Sequence, residues 1–409
     1  MRWLGARNLG ILWAVTALLS IAGCSGVRGQ AGDAALDGPV DSIPDAIGGG
    51  GEGGAEEGGA GGGNGGRGGE SGAGGGSSGG ASGGGSGGKD GGGSGGTGGG
   101  VDGAAGGRSG VGGNSSRVTE FVIPTANSQP LGIVGAPDGN LWFVEAAGNK
   151  VGRITPAGVI TEFAILTDGT PLAIAVGPDD SLWFTQGGGN IVGRITLDGV
   201  MTAFPIPTTP ATSFGITVGP DGNLWFTSQD ANQVARILPS GIITEFSVPT
   251  AGSSPYGIVA GPDGNLWFTE VTGHQLGRIS LAGVITEVSL VVASGVLPRP
   301  GDIANGPDGN LWFTDFGRNS VTRHSLSGTT TEYSLGSGSG PAGIALGPDG
   351  NLWVAEFTGS RIRRITPSGQ LTAFVVPSAN SQPQGIAAGP DGNIWFTEKM
   401  GNRIGRISP

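Results

Sequence analysis

Five acidic side chains recur at one place of a repeated segment, and each ends a short apolar run. The runs read W-F-V-E, W-F-T-E, W-F-T-D or W-V-A-E, and they end in Glu145, Glu270, Asp315, Glu356 and Glu398. Carboxylates that ring one opening can hold a divalent cation, because magnesium needs only one or two of them beside waters and ligand oxygens. The pattern therefore predicts a magnesium site, unless each carboxylate instead accepts backbone N–H groups of the next loop.

A second variable position lies directly before the Gly-Ile pair, or its equivalent, in each repeat. Its seven occupants are Leu131, Leu172, Phe214, Tyr256, Gly301, Ala342 and Gln384. Antiparallel pairing brings the start of one strand beside the end of the next, so we expect both sets at the same mouth of a central channel. Leu131, Phe214, Tyr256 and Gln384 are the candidate ligand-binding residues. Tyr256 and His274, from the loop after Glu270, are the candidates for a catalytic base.

The elements that position these residues repeat seven times. Tryptophans recur at intervals of 41 to 45 residues, at Trp142, Trp183, Trp225, Trp267, Trp312, Trp353 and Trp395. Each unit contains four short strand patterns separated by Gly-containing turns, without an apolar stripe of helical period. Because radial repetition leaves no long exposed sheet edge, residues 118–409 are predicted to form an all-β, seven-bladed β-propeller of four-stranded blades.

The two ends of this region predict how the ring closes. It begins with Val118–Pro124, which has the sequence of a fourth strand, and it finishes with Asn402–Ser408, which has that of a third strand. The N-terminal strand is therefore expected to pair with the last blade and complete it.

Residues that every repeat shares are predicted to be structural. The segment P-D-G-N has the sequence of a β-turn, in which Pro pre-sets φ and Gly accepts a positive φ. Its aspartates stand singly, without the several oxygen ligands that calcium requires. The shared tryptophans are predicted to pack between blades, and the Arg of G-R-I to form a hydrogen bond at the blade edge.

The first part of the chain predicts export and anchoring. A short apolar run, Leu9–Ile21, follows two arginines and precedes I-A-G-C-S, and the run is too short to span a membrane. Residues 1–23 resemble a bacterial lipoprotein signal peptide, with Cys24 as the lipid anchor; the alternative is a plain signal peptide. Residues 24–117 are rich in glycine and are predicted to form a disordered tether. We therefore expect a propeller anchored to the bacterial cell envelope, at the outer membrane.

The charge of the chain limits its partners. The net charge is −11, and no cluster of Lys or Arg stands out. Nucleic-acid binding requires a basic surface to neutralise phosphates, so it is not expected. Contact with a membrane is expected only through the lipid. The predicted partner is a small molecule, a peptide or a glycan at the channel mouth of a monomer, and the single cysteine permits no internal disulfide.

The repeat S-P-Y-G-I…G-P-D-G-N-L-W-F-T-E…G-R-I resembles the virginiamycin B lyase, or streptogramin lyase, family over residues 118–409. The resemblance implies a seven-bladed propeller that opens the lactone of type B streptogramins by magnesium-dependent elimination. It implies two histidines before the Gly/Ala-Ile pairs of adjacent blades, one of them the general base. It further implies a metal-binding glutamate at the end of a W-F-x-E strand and a tyrosine in a P-Y-G context, to which Glu270 and Tyr256 correspond in type.

The sequence departs from this pattern at the base. None of the seven positions before the Gly-Ile pairs is histidine, and the chain contains only His274 and His324. Elimination requires a base beside the substrate Cα proton. The residues therefore favour an envelope-anchored ligand-binding module. The alternatives are a magnesium-dependent lyase that uses Tyr256 or His274 as its base, and a passive assembly scaffold.

Overall fold

The computed structural model describes residues 117–290 and 295–409, and its regular elements in these ranges are all β-strands. The strands form seven four-stranded antiparallel sheets, which confirms the predicted all-β propeller. The predicted signal segment 1–23 and the predicted tether 24–117, apart from Arg117, lie outside the described residues. In the part of the chain that is described, no helix has the length and apolar character needed to cross a membrane.

Each blade is built from the channel outward, and blades 1 to 6 use four consecutive strands. Blade 1 contains β2 (Pro130–Gly135), β3 (Leu141–Glu145), β4 (Lys150–Ile154) and β5 (Ile160–Ala164). Blade 2 contains β6 (Thr170–Val176), β7 (Leu182–Gly187), β8 (Ile191–Ile195) and β9 (Met201–Pro205). Blade 3 contains β10 (Ser213–Val218), β11 (Leu224–Ser228), β12 (Gln233–Ile237) and β13 (Ile243–Ser247).

The second half of the ring follows the same order. Blade 4 contains β14 (Pro255–Ala260), β15 (Leu266–Glu270), β16 (Gln275–Ile279) and β17 (Ile285–Ser289). Blade 5 contains β18 (Pro300–Asn305), β19 (Leu311–Asp315), β20 (Ser320–His324) and β21 (Thr330–Ser334). Blade 6 contains β22 (Pro341–Leu346), β23 (Leu352–Glu356), β24 (Arg361–Ile365) and β25 (Leu371–Val375). Blade 7 contains β26 (Pro383–Ala388), β27 (Ile394–Glu398), β28 (Arg403–Ile407) and the N-terminal strand β1 (Val118–Val122).

The N-terminal strand closes the ring as the sequence predicted. β1 pairs with β28 along its whole length, from Val118 opposite Ile407 to Val122 opposite Arg403. The Phe121 ring stacks on Trp395 of the same blade at a centroid distance of 5.6 Å. Blade 7 is therefore assembled from both ends of the propeller, and the seven innermost strands contact one another in a closed ring.

The second strand of each blade is buried on both faces, because a neighbouring blade covers each face. In β15, Leu266 and Phe268 pack against Trp225 of blade 3, whereas Trp267 packs against Ile303 of blade 5. Since side chains alternate along a strand, the terminal Glu270 lies on the Phe268 face. The last residue of each second strand therefore faces the preceding blade.

The P-D-G-N turns have the structural role that the sequence predicted. In blade 4, the Asp263 carboxylate accepts the Trp267 indole N–H at 3.1 Å and pairs with the Arg278 guanidinium at 2.7 Å, and Gly264 has a φ of +76°. The equivalent indole-to-aspartate bond is present in all seven blades. All seven turn aspartates thus orient the tryptophan of their own blade, and those of blades 2 to 6 also pair with its arginine.

A threonine connects adjacent blades just below the channel mouth. The Thr227 hydroxyl donates to the Tyr256 carbonyl of the next blade at 2.6 Å and accepts the Gly215 N–H of its own blade at 3.0 Å. Four more threonines make the same two bonds, namely Thr185, Thr269, Thr314 and Thr397. Blades 1 and 6 have Val144 and Ala355 instead. The threonines therefore fix the backbone of five of the seven mouth residues.

Candidate functional site

Four apolar members of the mouth set pack together. Leu131, Leu172, Phe214 and Tyr256 belong to the innermost strands of blades 1 to 4 and share one apolar cluster. The first three are only 5–7% exposed, and the Phe214 and Tyr256 rings lie 4.8 Å apart between centroids. The structure thus brings three of the four candidate binding residues together as one apolar wall on the side of blades 1 to 4.

The other members of the mouth set are smaller or polar. Gly301 of blade 5 has no side chain, and Ala342 of blade 6 is 8% exposed. Gln384 of blade 7 is partly exposed, and its strand lies beside the Leu131 strand. The mouth is therefore asymmetric, with an apolar wall on blades 1 to 4 and small side chains with one amide on blades 5 to 7.

Asp302 is a charged residue beside the mouth set that the sequence did not single out. In the other blades its position is occupied by Gly or Ala, namely Gly132, Ala173, Gly215, Gly257, Gly343 and Gly385. Its Oδ1 accepts the N–H of Ile303 at 2.9 Å, and its Oδ2 accepts the N–H of Ile344 in blade 6 at 3.0 Å. The residue is partly exposed, but protein atoms surround its carboxyl group, and this burial raises the pKa of Asp302 to about 6 although the two backbone bonds lower it. Burial, followed by the Asp302 charge, raises the pKa of Tyr256.

Two of the five predicted metal-binding carboxylates are neutralised by arginines. Glu356 is fully buried and pairs with Arg361 at 2.5 Å and with Arg363 at 2.7 Å. Asp315 is fully buried, pairs with Arg318 at 2.7 Å and accepts the backbone N–H groups of Arg299 and Arg318. Both carboxylates therefore already have cationic partners from the protein.

The other three carboxyl groups each face a second carboxyl group on the outer strand of the same blade. The three pairs are Glu145 with Glu162, Glu270 with Glu287, and Glu398 with Glu120. The outer-strand member holds the connector into its blade: Glu162 accepts both the backbone N–H and the hydroxyl of Thr125 at 2.9 Å. The inner member, at the end of the second strand, is fully buried in all three pairs.

These inner carboxyl groups titrate near neutral pH. Burial is the main cause that raises the pKa of Glu145 and Glu270 to about 7 and that of Glu398 to about 8, and the facing carboxylate raises each further. Both oxygens of Glu145 and of Glu398, and Oε1 of Glu270, have no hydrogen-bond partner among the described residues. The protein environment therefore favours the protonated, neutral form of these three carboxyl groups.

The five carboxylates do not fit one shared magnesium site. Each is 0% exposed and lies against the blade that precedes its own, so each occupies a separate corner between blades. In residues 117–290 and 295–409, no group of three or more His, Cys, Asp or Glu is arranged to hold a metal ion. Beside the Glu270–Glu287 pair, the first residue of the third strand is the uncharged Gln275. At the same position beside the other two pairs, the residue is the basic Lys150 or Arg403.

Comparison with known proteins identifies the family. The profile described as "Virginiamycin B lyase family" matches residues 105–294 and 215–409, which together cover most of the chain. The chain belongs to the virginiamycin B lyase family. A virginiamycin B lyase of Bordetella parapertussis is 39% identical over 57 residues, which are 14% of this chain and 19% of that protein. The matched segment thus spans about a fifth of this curated relative.

Solved structures of the virginiamycin B lyase family share the whole propeller. A streptogramin B lyase structure superposes with a TM-score of 0.66 at 31% identity, covering 71% of this chain and 96% of that one. A catalytically inactive histidine-to-alanine variant of virginiamycin B lyase from Staphylococcus aureus, determined with quinupristin, has a TM-score of 0.68 at 30% identity. That comparison covers 72% of this chain and 99% of the S. aureus protein.

The two histidines of this member of the virginiamycin B lyase family occupy positions that have a structural role in the other blades. His274 lies in the turn between β15 and β16 with a φ of +58°, and its Nδ1–H donates to the Pro298 carbonyl at 2.5 Å. Five of the other blades have Asn with a φ of +47° to +53° at the same turn position, for example Asn232. His324 is 2% exposed, replaces the Ile of G-R-I, and has a pKa lowered by burial. No hydrogen bond or ring contact of the described residues joins either histidine to Tyr256.

Proposed function

We propose that this member of the virginiamycin B lyase family is a ligand-binding propeller that does not open lactones. One observation carries the proposal: no histidine stands at any of the seven mouth positions before the Gly-Ile pairs. In this chain, four of those positions form an apolar wall. The inactivity of the histidine-to-alanine variant of the S. aureus lyase supports the view that the family's chemistry depends on histidine.

The remaining candidates for a base are poorly suited to the role. Tyr256 would have to act as a phenolate, but burial and the nearby Asp302 charge raise its pKa and disfavour that form. The Nδ1–H of His274 donates to the Pro298 carbonyl, which leaves Nε2 as the free acceptor, but no hydrogen bond or ring contact of the described residues joins His274 to a mouth residue. A general base must lie within hydrogen-bonding reach of the proton it removes. These observations support the proposal that neither residue acts as the base of an elimination.

The mouth has the chemistry of a binding site. Leu131, Phe214 and Tyr256 offer apolar and aromatic surface, and Gln384 and Asp302 offer polar groups on the two blades that adjoin this wall. Ligand sites combine apolar surface with a few fixed polar groups in this manner. We infer that the ligand is a small molecule, a peptide or a glycan with both an apolar and a polar part.

The second candidate is a magnesium-dependent lyase for type B streptogramins or a related cyclic ester. The observation in its favour is the coverage of 96–99% of the two lyase structures at 30–31% identity. Against it, the five carboxylates are each fully buried, and the described residues contain no group of three or more His, Cys, Asp or Glu arranged for a metal ion. We therefore derive no reaction step through magnesium for this chain.

An activity assay separates the two candidates. The full chain is incubated with quinupristin and Mg²⁺, beside the active S. aureus lyase as positive control, and the products are followed by mass spectrometry. We expect quinupristin to stay intact with this chain while the control converts it. Linearised product formed over many turnovers would overturn the binding proposal in favour of the lyase.

We also propose that the protein is exported, anchored through Cys24 to the bacterial envelope and monomeric. The lipobox-like I-A-G-C-S and the glycine-rich stretch behind it support the anchor. The test is expression in a bacterium with labelled palmitate: the parent should carry label and sediment with membranes, whereas Cys24→Ala should lose both. A Cys24→Ala variant that stays labelled would contradict the anchor.

A further inference from the structure

We propose that the channel mouth recognises an organic ammonium group, with Asp302 as its anionic partner and the Phe214–Tyr256 pair as its aromatic wall. The inference rests on the proposed binding function and narrows it to a ligand class. It makes Asp302 the residue that determines specificity, at a position that the family resemblance does not single out.

The position of Asp302 explains why a side chain there is exceptional. A Cβ added to Gly257, the equivalent residue of blade 4, would lie 2.9 Å from the Gly301 carbonyl oxygen and 3.1 Å from the Asp302 Cα. The innermost strands approach one another so closely that five blades have Gly and one has Ala. A charged side chain at this place is costly unless a hydrogen bond or a ligand compensates it.

The Asp302 carboxylate has hydrogen bonds but no counter-charge. Its two partners are the backbone N–H groups of Ile303 and Ile344, each of which occupies one carboxylate oxygen. The neighbouring side chain that interacts electrostatically with Asp302 is Tyr256 of β14, which is uncharged at neutral pH because its pKa is raised. The Asp302 backbone N–H donates to the hydroxyl of Thr314 in β19, which is also uncharged. No ion pair of the described residues includes Asp302. Each oxygen keeps a lone pair, so the carboxylate can accept a further hydrogen bond from a cation.

The surroundings of Asp302 leave an approach from the mouth. Gly301, directly before it, has no side chain, Ala342 of the next blade has only a methyl group, and Asp302 itself is partly exposed. The Tyr256 ring, 4.8 Å from that of Phe214, belongs to the blade on the other side. An ammonium group that reaches Asp302 from the mouth therefore passes beside an aromatic wall.

The chemistry of this arrangement favours an organic ammonium over a metal ion. One carboxylate beside aromatic rings is how proteins bind ammonium ligands, because the ring faces attract the cation and the carboxylate accepts its N–H groups. Calcium would need more oxygen ligands than Asp302 supplies, and both Asp302 oxygens already accept a backbone N–H. The apolar surface of Leu131 and Leu172 would contact the hydrocarbon part of the same ligand.

A pair of matched probes tests the inference. Phenethylammonium chloride and the neutral 2-phenylethanol are titrated into the full chain at pH 7.5, with binding followed by ligand-observed NMR. We expect the parent to bind the amine at least about tenfold more tightly than the alcohol, as charge-assisted hydrogen bonds provide. Asp302→Asn keeps the shape and removes the charge, and it should reduce this preference to within about twofold.

Further variants separate recognition from folding. Asp302→Gly introduces the residue of five other blades, so it should fold and also lose the preference, while Asp198→Asn on an exposed turn should keep it. The preference of the parent should disappear as the pH falls through about 6, where the Asp302 carboxylate takes up a proton. Thermal unfolding of each variant confirms that the fold is intact.

Each possible result of these titrations either supports or overturns the inference. Loss of the preference in both Asp302 variants, with the Asp198 control unchanged, supports the inference. Equal binding of the two probes by the parent and by Asp302→Asn overturns the ammonium inference but leaves the binding function in place. Absence of amine binding to the folded parent at millimolar concentration also overturns it, and the binding function is then judged by the quinupristin assay alone.

Discussion

Side-chain alternation along β15 explains where Glu270 lies. Leu266, Phe268 and Glu270 share one face, and that face is covered by blade 3. The sequence shows this alternation. The register of Pro255 opposite Glu270 confirms that the position before the Gly-Ile pair and the position after the second strand's W-F-T lie at the same end of the blade. The burial of the carboxylate was not predictable from one strand, because it depends on the neighbouring blade that covers the face. The placement of Glu287 opposite Glu270 depends in addition on the pairing of β16 and β17.

The environment of Glu270 predicts that it does not bind magnesium. Its carboxyl group is fully buried, accepts a hydrogen bond from Gln275 at 3.0 Å and has a pKa raised to about 7 by burial and Glu287. Magnesium binds an ionised carboxylate, whereas the raised pKa favours the protonated form of Glu270 below about pH 7. We expect calorimetric Mg²⁺ titrations of the parent and of Glu270→Gln to be identical at pH 6.5.

The matched control for this titration is Asp168→Asn, which changes an exposed carboxylate of a connector. Heat that the parent and Asp168→Asn release, but that Glu270→Gln does not, would place magnesium at Glu270. It would also strengthen the lyase candidate, for which Glu270 corresponds in type to the family's metal-binding glutamate.

Asp302 shows what a repeat reveals about single residues. Positions that agree in all copies, such as the turn aspartates, were correctly predicted to be structural. Asp302 differs from its six counterparts at a position that is otherwise Gly or Ala. That deviation is visible in the sequence, but only the close contact between innermost strands shows why a side chain there is unusual.

At the scale of elements, the threonine below the mouth connects each second strand to the next blade. Thr227→Val removes the hydroxyl that donates to the Tyr256 carbonyl and leaves the Gly215 N–H without its acceptor. The loss of a buried hydrogen bond of this kind costs about 1–3 kcal/mol. We therefore expect a lower free energy of unfolding for Thr227→Val, measured by urea denaturation followed by tryptophan fluorescence.

The chain provides its own control for this substitution, because blade 1 has Val144 at the equivalent position. Val144→Ala removes methyl groups without touching an inter-blade hydrogen bond, so it measures the packing part of the cost. If Thr227→Val unfolds at the same urea concentration as the parent, the inter-blade bond does not contribute to stability.

The closing strand is the element on which the ring most depends. Deletion of residues 118–124 removes the β1 pairing with β28 and exposes the Trp395 face on which Phe121 stacks. We expect a strongly lowered Tm and a broadened transition in circular dichroism. Removal of residues 48–113 instead leaves every described strand in place and should not change the Tm. An unchanged cooperative transition after deletion of the strand would show that the ring closes without it.

The regular elements were predictable because they repeat. Strand number, turn chemistry and closure follow from a motif that occurs seven times, so errors in one copy are corrected by the others. The connector between β17 and β18 was not predictable in the same way, since it is where the tryptophan interval lengthens to 45 residues and no second copy exists.

For the molecule as a whole, family membership determines the architecture more firmly than the activity. The propeller is shared with lyase structures over nearly their full length, yet the mouth residues of this chain differ in chemistry from blade to blade. A propeller presents seven equivalent positions at one mouth, so a change of a few side chains alters function and leaves the core intact. The candidate site could therefore be located from the sequence, while its ligand depends on which side chains converge.

The ionisable groups of the molecule predict that its stability falls on both sides of a mildly acidic optimum. On the acid side, partial burial raises the pKa of Asp179, but the hydrogen bonds from Trp183 and Arg194 outweigh burial and hold the pKa below its ordinary 3.8. A lowered pKa gives stability that is present above the unfolded pKa and is lost as the pH falls through the folded one. Five other turn aspartates have pKa values lowered in the same way.

On the alkaline side, the buried Glu145, Glu270 and Glu398 make the main contribution to the change of stability with pH. Their pKa values rise from 4.5 to about 7, 7 and 8, so the folded protein retains protons that the unfolded chain releases. Stability from these groups is complete below about pH 4.5 and is lost as the pH rises through 7 to 8, by about 1.4 kcal/mol for each unit of pKa difference. We therefore expect the Tm to decrease between pH 5 and pH 9 in thermal melts.

A triple variant isolates the cause of this decrease. Substitution of Gln at Glu145, Glu270 and Glu398 keeps the neutral shape of the protonated acids but cannot ionise, so its Tm should change much less over the same pH range. The exposed acids Asp168 and Asp198, changed to Asn, serve as the control and should keep the slope of the parent. A parent Tm that is constant or rises up to pH 8 would show that the three corners hold ionised carboxylates with partners.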